Sequence, residues 1–492
     1  MNRLKNVLLF SVSLIQINPI ILILFSLCSL GVSQRSQAII ANTINVIHGN
    51  KPEVVNIETA AKRQGFTING VFYSANTNNL DDIQINQFDG NLKINDFIIK
   101  NYTINDLDMT TNYDDSDEDG INHRSPFSVE PTTYSWVDNN GVIIEGNDRA
   151  RIIGCSSGFS MPLYLTITTK VKTYAEYGIP NESEYADITQ KYKIMAEPEI
   201  CYAKPYQMVL FPNYVWGSVR PIQYQGRQEC LLYGYRDDQF IESINDDSMY
   251  LVNGWNFDNS RNRNSVCGGG YNAQVFDPIN GFKVSAVPHF PTTGFSGAKF
   301  QLVMTGNQND FNYSFIENPN NSVTVDNQGF VTLINKPTGQ VTIKVTFKHD
   351  NQIAEKLYSF NLTGIWANPR GSELYTYQQI INLCGGESKL PSRAEMSNSP
   401  NAPLSWTTMP YLWDAFTRDI GNGLLSEWGM TSKLTYPDSN WSSNLLWFYS
   451  RDVYSDSAGI ASEHENRFSI DAWIGQIGIW VKGSKFPAVC IE

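Results

Sequence analysis

Ser372-Glu-Leu-Tyr-Thr-Tyr-Gln-Gln-Ile-Ile-Asn-Leu-Cys384-Gly-Gly386 opens the stretch that decides the fold. Ile474-Gly-Gln-Ile-Gly-Ile-Trp-Val-Lys482 and Phe486-Pro-Ala-Val-Cys490 close it. Leu374, Tyr377, Ile381 and Cys384 recur at helical spacing, and the glycine pair supplies a C-terminal stop. A second helix start follows at Leu390-Pro-Ser-Arg-Ala-Glu-Met396. There Ser392 and Glu395 have the spacing at which each side chain satisfies the other's backbone donor. Eight of the eleven tryptophans lie beyond residue 365, which places the large aromatic core here. The two closing runs predict a hairpin that brings Cys490 back beside the first helix.

A helix ending in Cys384, the LPSRAEM start, a Trp-rich middle and a last strand with Cys490 together resemble a C-type lectin-like domain. The likeness is to the form found at the tip of invasin/intimin-type bacterial adhesins, and it covers about a quarter of the chain. It implies a Cys384–Cys490 bridge closing a loop of more than a hundred residues, worth about 4–5 kcal/mol on the chain-entropy model. Calcium-dependent sugar binding in such domains needs E-P-N or Q-P-D with W-N-D. The nearest strings here, Tyr436-Pro-Asp438 and Ile470-Asp-Ala-Trp473, match neither. A disulfide-closed α+β domain of another kind is the alternative.

Length and composition set the frame. A chain of 492 residues holds roughly three or four domains. Charged residues make up only 17%, and the net charge of −13 argues against nucleic-acid or anionic-membrane partners, which need clustered Lys and Arg. Arg3 and Lys5 precede an apolar run from Val7 to Val32 and then Ser36-Gln-Ala38, a small-x-small cleavage pattern. Residues 1–38 thus read as a signal peptide, with an uncleaved signal anchor as the alternative. Six cysteines follow it, an even number in an exported chain. With Cys384 and Cys490 paired, three connectivities remain for Cys155, Cys201, Cys230 and Cys267. Nearest-neighbour pairing favours Cys155–Cys201 and Cys230–Cys267.

Residues 39–104 read as a β-rich segment, with a hairpin at Phe66–Tyr73 around Asn69-Gly70, a strand at Leu92–Ile99 and a short helix at Ile57–Lys62. Residues 105–200 read as an Ig-like domain: Tyr134-Ser-Trp136, an Asn-Gly turn and the β-rich run Leu163–Val171. Residues 201–273 read as a disulfide-bearing connector. From 274 to 364, six short runs separated by turn residues give the sandwich signature: Phe282-Lys-Val-Ser-Ala286, Lys299–Met304, Tyr313–Phe315, Val323–Val325, Phe330–Leu333 and Val341–Phe347. This element is similar to bacterial Ig-like group-2 domains. Residues 365–492 form the lectin-like domain. The fold class is therefore mainly β, tandem Ig-like sandwiches followed by an α+β tip.

Chemistry is sparse. Asp115, Asp117, Asp119 and Gly120 match the front of a calcium loop, but Pro126 stands where a bidentate Glu belongs, and an acidic solvated turn is the alternative. Gly154-Cys155-Ser156-Ser157-Gly158 has the spacing of a hydrolase elbow without a following helix. The five histidines form no metal pair, and no catalytic residues or cofactor are expected beyond a calcium ion at the acidic turn. The expected function is an exported surface adhesin on a Gram-negative cell, or secreted, whose tip binds a host-surface protein or glycan. A secreted enzyme on a lectin-like scaffold and a purely structural surface protein are the alternatives. Long irregular loops in compact domains are usually functional, so Trp428, Tyr436, Asp438 and Trp441 are predicted at an exposed loop tip, as ligand-binding residues.

Overall fold

The computed structural model describes residues 48–210, 268–400, 402, 414–444, 447–454 and 466–492, with backbone strands also at Tyr235–Arg236 and Gln239–Phe240. The signal segment, Cys230, Cys267, Trp406 and Trp413 lie outside the described residues.

The N-terminal unit begins with helix α1 (Ile57–Ala61). Strands β1 (Gly65–Ile68) and β2 (Val71–Ser74) follow as a hairpin turned by Asn69 and Gly70, both at positive φ (49° and 82°). That double left-handed step is what a two-residue hairpin requires. Strand β3 spans Ile85–Phe88, and the expected strand at 92–99 shrinks to β4 (Ile98–Ile99). Before β4 the Asp96 carboxylate accepts from Lys93 N at 2.8 Å and closes a 3-10 turn, because a short acidic side chain competes well for local backbone donors.

Strands β5 (Phe127–Val129) and β6 (Thr133–Val137) both pair with the long strand β7 (Leu163–Thr173), which pairs with β8 (Ala186–Ala196). On β7 every second residue from Leu163 to Val171 faces inward, the period-2 pattern of a half-buried strand. Strand β3 joins the same sheet, parallel to β8. Phe66 and Phe97, from before residue 105, stack edge-on at 5.2 Å, and Phe97 meets Trp136 at 5.3 Å. One core therefore spans the boundary drawn at 104/105, and residues 53–196 form a single unit.

The second unit starts earlier than residue 274. Strand β9 (Ile200–Pro205) already lies inside its six-stranded sheet. The order is β10 (Phe276–Asp277), β11 (Gly281–Lys283), β9, β13 (Lys299–Met304), β16 (Phe330–Leu333) and β15 (Val323–Val325). The opposing sheet runs β14 (Phe311–Glu317), β17 (Val341–Phe347) and β18 (Lys356–Phe360). Five of the six predicted runs are strands throughout, while the first is strand only at Phe282–Lys283 and turns away at Val284–Ala286. The start of what read as a connector thus lies in β9, inside the same sheet as β10 and β11.

The C-terminal unit is held by two small sheets. One is β12 (Gly294–Phe295), β19 (Trp366–Pro369) and β23 (Val489–Ile491); the other is β20 (Trp447–Val453), β21 (Asn466–Asp471) and β22 (Ile477–Val481). The predicted hairpin between the last two runs is absent: β22 pairs with β21, and β23 pairs with β19 in the other sheet. Strand β12 belongs to the second unit by sequence, so the two units share a sheet.

Candidate functional site

Helix α2 (Tyr377–Cys384) carries the N-terminal side of the C-terminal unit. It is shorter than the spacing suggested and starts after Leu374, because Thr376 and Gln379 form a capping box there. Tyr377 and Ile380 are the residues it buries, while Gly385 ends it in the left-handed conformation (φ 81°). Cys384 is bridged to Cys490, 106 residues on, and Cys155 to Cys201. Helix α3 (Arg393–Met396) begins at Ser392, whose hydroxyl accepts from Glu395 N at 3.2 Å while Glu395 Oε2 accepts from Ser392 N at 2.6 Å.

Helix α4 (Leu424–Trp428) overturns the expected loop tip. Trp428, Tyr436 and Trp441 are all at most 1% exposed. Trp428 packs against Phe290, Phe295 and Phe300 of the second unit, with ring centres 4.9–6.3 Å apart. Its indole Nε1 donates to Thr293 O at 3.1 Å. Tyr436 and Trp441 meet Phe295 at 5.0 and 5.4 Å. Gly and Pro neighbours marked tight turns here, but the aromatic rings fill the seam between two domains. Of the four predicted binding residues only Asp438 is exposed.

The same seam holds two charges out of water. Glu427 is fully buried, and its carboxylate accepts from Thr292 N and Oγ1 (3.1 and 2.6 Å), Thr293 N and Oγ1 (2.8 and 2.6 Å) and Gly421 N (3.0 Å). Burial pushes this carboxyl up and the donors pull it back, leaving it above the usual range. Arg418, also fully buried, lies over the Phe276 ring at 5.0 Å and donates to Glu427 O at 3.0 Å. Burial lowers its guanidinium to about 10.

The exposed aromatic surface is elsewhere. Trp480 on β22 is 40% exposed, and its ring lies 6.0 Å from Trp447 and 5.5 Å from Phe486. A Cβ on Gly478 would fall 2.7 Å from the Trp447 ring, so only glycine lets that ring lie across β22. Val481 (45% exposed) and the basic turn Lys482-Gly-Ser-Lys485 border the pair. Sequence reasoning missed this surface because Ile477–Val481 read simply as a closing strand. The period-2 alternation that puts Gly478 and Trp480 on one face was the signal available.

Asp115, Asp117 and Asp119 do come together. The Tyr113 hydroxyl donates to Asp115 Oδ2 at 3.4 Å, and Asn50 N–H donates to Asp117. A Cβ on Gly49 would come within 2.5 Å of both the Asp117 and Asp119 carboxylates. Asp115 Oδ1 and Asp119 Oδ2 have no hydrogen-bond partner among the described residues. Burial, then Asp117 and Asp119, push the Asp115 carboxyl above its ordinary value. Even so, among the described residues no group of three His, Cys, Asp or Glu could hold a metal ion. Ser156 sits in a loop at φ 59° and donates to Asn280 Oδ1 at 3.0 Å, not to a histidine. Asp471 spends its Oδ1 on Trp473 N and Ile474 N (2.7 and 3.0 Å), capping a turn.

No curated protein matches the chain by sequence. Residues 274–360 match the family described as Invasin, domain 4. Among solved structures, the chain aligns with the crystal structure of invasin, a bacterial integrin-binding protein, at 13% identity and a TM-score of 0.34, over 88% of this chain and 59% of that one. It aligns with the C-terminal 282-residue fragment of intimin, solved with the intimin-binding domain of the translocated intimin receptor, at 11% identity and 0.30, over 75% and 86%. An EHEC O157:H7 intimin mutant aligns at 15% identity and 0.27, over 44% and 93%. Superpositions this loose carry no weight for function, and the chain spans less than two thirds of the invasin structure's length; the family match falls on the second sandwich. Residues 274–360 are thus similar to invasin domain 4, a likeness that covers well under half of the chain.

Proposed function

We propose that this chain is an exported surface adhesin whose C-terminal unit binds a protein on a host cell, with the two preceding sandwiches as spacers. The observation that carries the reading is the invasin domain 4 match at residues 274–360, directly followed by a disulfide-closed unit rooted in it. Invasin is an integrin-binding protein and intimin is captured with a receptor, and a protein receptor is the corresponding expectation here. Binding rather than catalysis is the activity, at the outer surface of a Gram-negative cell or after secretion. With Trp428, Tyr436 and Trp441 buried, the contact falls to Trp480 and Trp447, since aromatic anchors dominate recognition. The test is saturable binding of the full chain to cultured host cells, with a Trp480→Ala variant alongside. Loss of an anchor of about 2 kcal/mol weakens binding roughly thirtyfold. Unchanged binding by folded Trp480→Ala would remove this surface from the contact.

A further inference from the structure

The N-terminal unit carries a cleft of about 210 Å³ lined by Arg63, Phe72, Ser74, Asn76, Thr77, Lys100, Asn105 and Asp106. Three features set its chemistry. First, the lining holds two cations, Arg63 and Lys100, against one carboxylate, Asp106. Lys100 Nζ donates to Asp106 Oδ1 at 2.7 Å, while Asp106 Oδ2 is occupied by Thr103 N and Oγ1 at 2.9 and 3.0 Å. Arg63 makes no ion pair within 4 Å among the described residues, although the Asp108 carboxylate outside the lining lies within its electrostatic reach. Its Nη1 donates to the Asp106 carbonyl at 2.6 Å and, more distantly, to Asn112 Oδ1 at 3.5 Å, and its other N–H groups make no further bond there. The lining residues themselves therefore sum to one positive charge in a chain of net charge −13.

Second, two of the remaining lining residues, Asn76 and Asn105, offer side-chain amides, while the Thr77 hydroxyl is already bonded to Ser74 O and Asn79 Oδ1. The Asn76 and Asn105 side-chain amides are exposed and form no hydrogen bond among the described residues, and the Ser74 and Thr77 hydroxyls face each other at 3.2 Å. Third, the Phe72 ring stands in the wall with Lys100 Nζ 5.2 Å from its centre. A volume on the order of seven waters holds one six-membered sugar ring and little more. An inorganic anion would use the charge but leave the amides and the ring idle; a neutral sugar would leave the unpaired guanidinium idle.

We propose that this cleft binds a single acidic monosaccharide, a carboxylate-bearing sugar at the end of a glycan. Its carboxylate meets Arg63 and Lys100, and its hydroxyls meet Asn76 and Asn105. The guanidinium fork suits a carboxylate, and charge-assisted bonds are about twice as strong as neutral ones. This site is independent of the receptor contact at the C-terminal unit, and neither needs the other.

Saturation-transfer NMR on the full chain tests it with glucuronate and N-acetylneuraminate, against glucose and inorganic phosphate. The expected result is transfer to the acidic sugars, at least tenfold weaker affinity for glucose, and displacement by added salt. Asn105→Asp adds a negative charge at an exposed side chain that bonds to nothing, so the fold is retained; binding should drop at least fivefold. Arg63→Gln should drop it further. The proposal is overturned if glucose binds as well as glucuronate, if phosphate displaces the sugars at equal concentration, or if folded Asn105→Asp binds unchanged. It is equally overturned if no acidic sugar shows transfer while host-cell binding by the same preparation is intact.

Discussion

Replacing Glu427 with alanine probes the seam between the second and third units. The carboxylate serves three backbone N–H groups, from Thr292, Thr293 and Gly421, and two threonine hydroxyls, all in a dry setting. The hydroxyls can rotate to other acceptors; the three amides cannot. Each buried donor left without a partner costs about 1–3 kcal/mol. A water entering the vacated space recovers part of that, so the net destabilisation should be about 3–5 kcal/mol. The assay is urea denaturation followed by tryptophan fluorescence, because Trp428 is bonded to Thr293 O and reports on the seam directly. A Thr293→Val partner makes a double-mutant cycle, and residues sharing a bond this close should couple by about 1–3 kcal/mol. A shift below about 0.5 kcal/mol with no coupling would refute the reasoning, since surface substitutions fall in that range.

Other outcomes follow from the same geometry. Trp428→Ala should destabilise by about 3–5 kcal/mol, read as a lowered melting temperature, the opposite of what an exposed loop tip would give. Residues 366–492 expressed alone should lack a cooperative transition, because Phe290, Phe295 and the Thr292–Thr293 donors are missing, whereas residues 200–492 should unfold cooperatively. Cys384→Ser should cost about 4–5 kcal/mol for a loop of 106 residues, and full reduction, which also opens Cys155–Cys201, should cost more, both checked by thermal unfolding. Asp471 gives a pH signature: burial pushes its carboxyl up to about 6 despite two backbone donors. The folded state then holds this proton more tightly than the unfolded one, so the contribution is present below the ordinary carboxylate value and lost as pH rises through 6. Asp471→Asn should flatten that fall in melting temperature between pH 4 and 7.

The parts legible in the sequence were those governed by local rules. The runs of the second sandwich alternate and are separated by turn residues; five of the six are strands throughout and the first is one only at Phe282–Lys283. The Ser392–Glu395 box and the Asn69-Gly70 turn are written in a few adjacent residues and came out as read. Nearest-neighbour pairing also found Cys155–Cys201. What failed depended on distant partners. Nothing near Trp428 says that Phe290 and Thr293 lie against it, 135 residues away in the case of Thr293. Likewise β3 joins a sheet with β8, over a hundred residues on, and β23 pairs with β19 across the whole C-terminal unit. A Trp beside Gly or Pro is equally compatible with a loop tip and with a ring folded under a tight turn. Only the tertiary neighbours decide, and they decided for the core.

The most direct measurement of the adhesin reading is binding of the full chain to live host cells before and after mild protease treatment of the cell surface. The account predicts saturable binding that protease treatment abolishes and that Trp480→Ala weakens. No binding, or binding untouched by protease, would contradict a protein receptor.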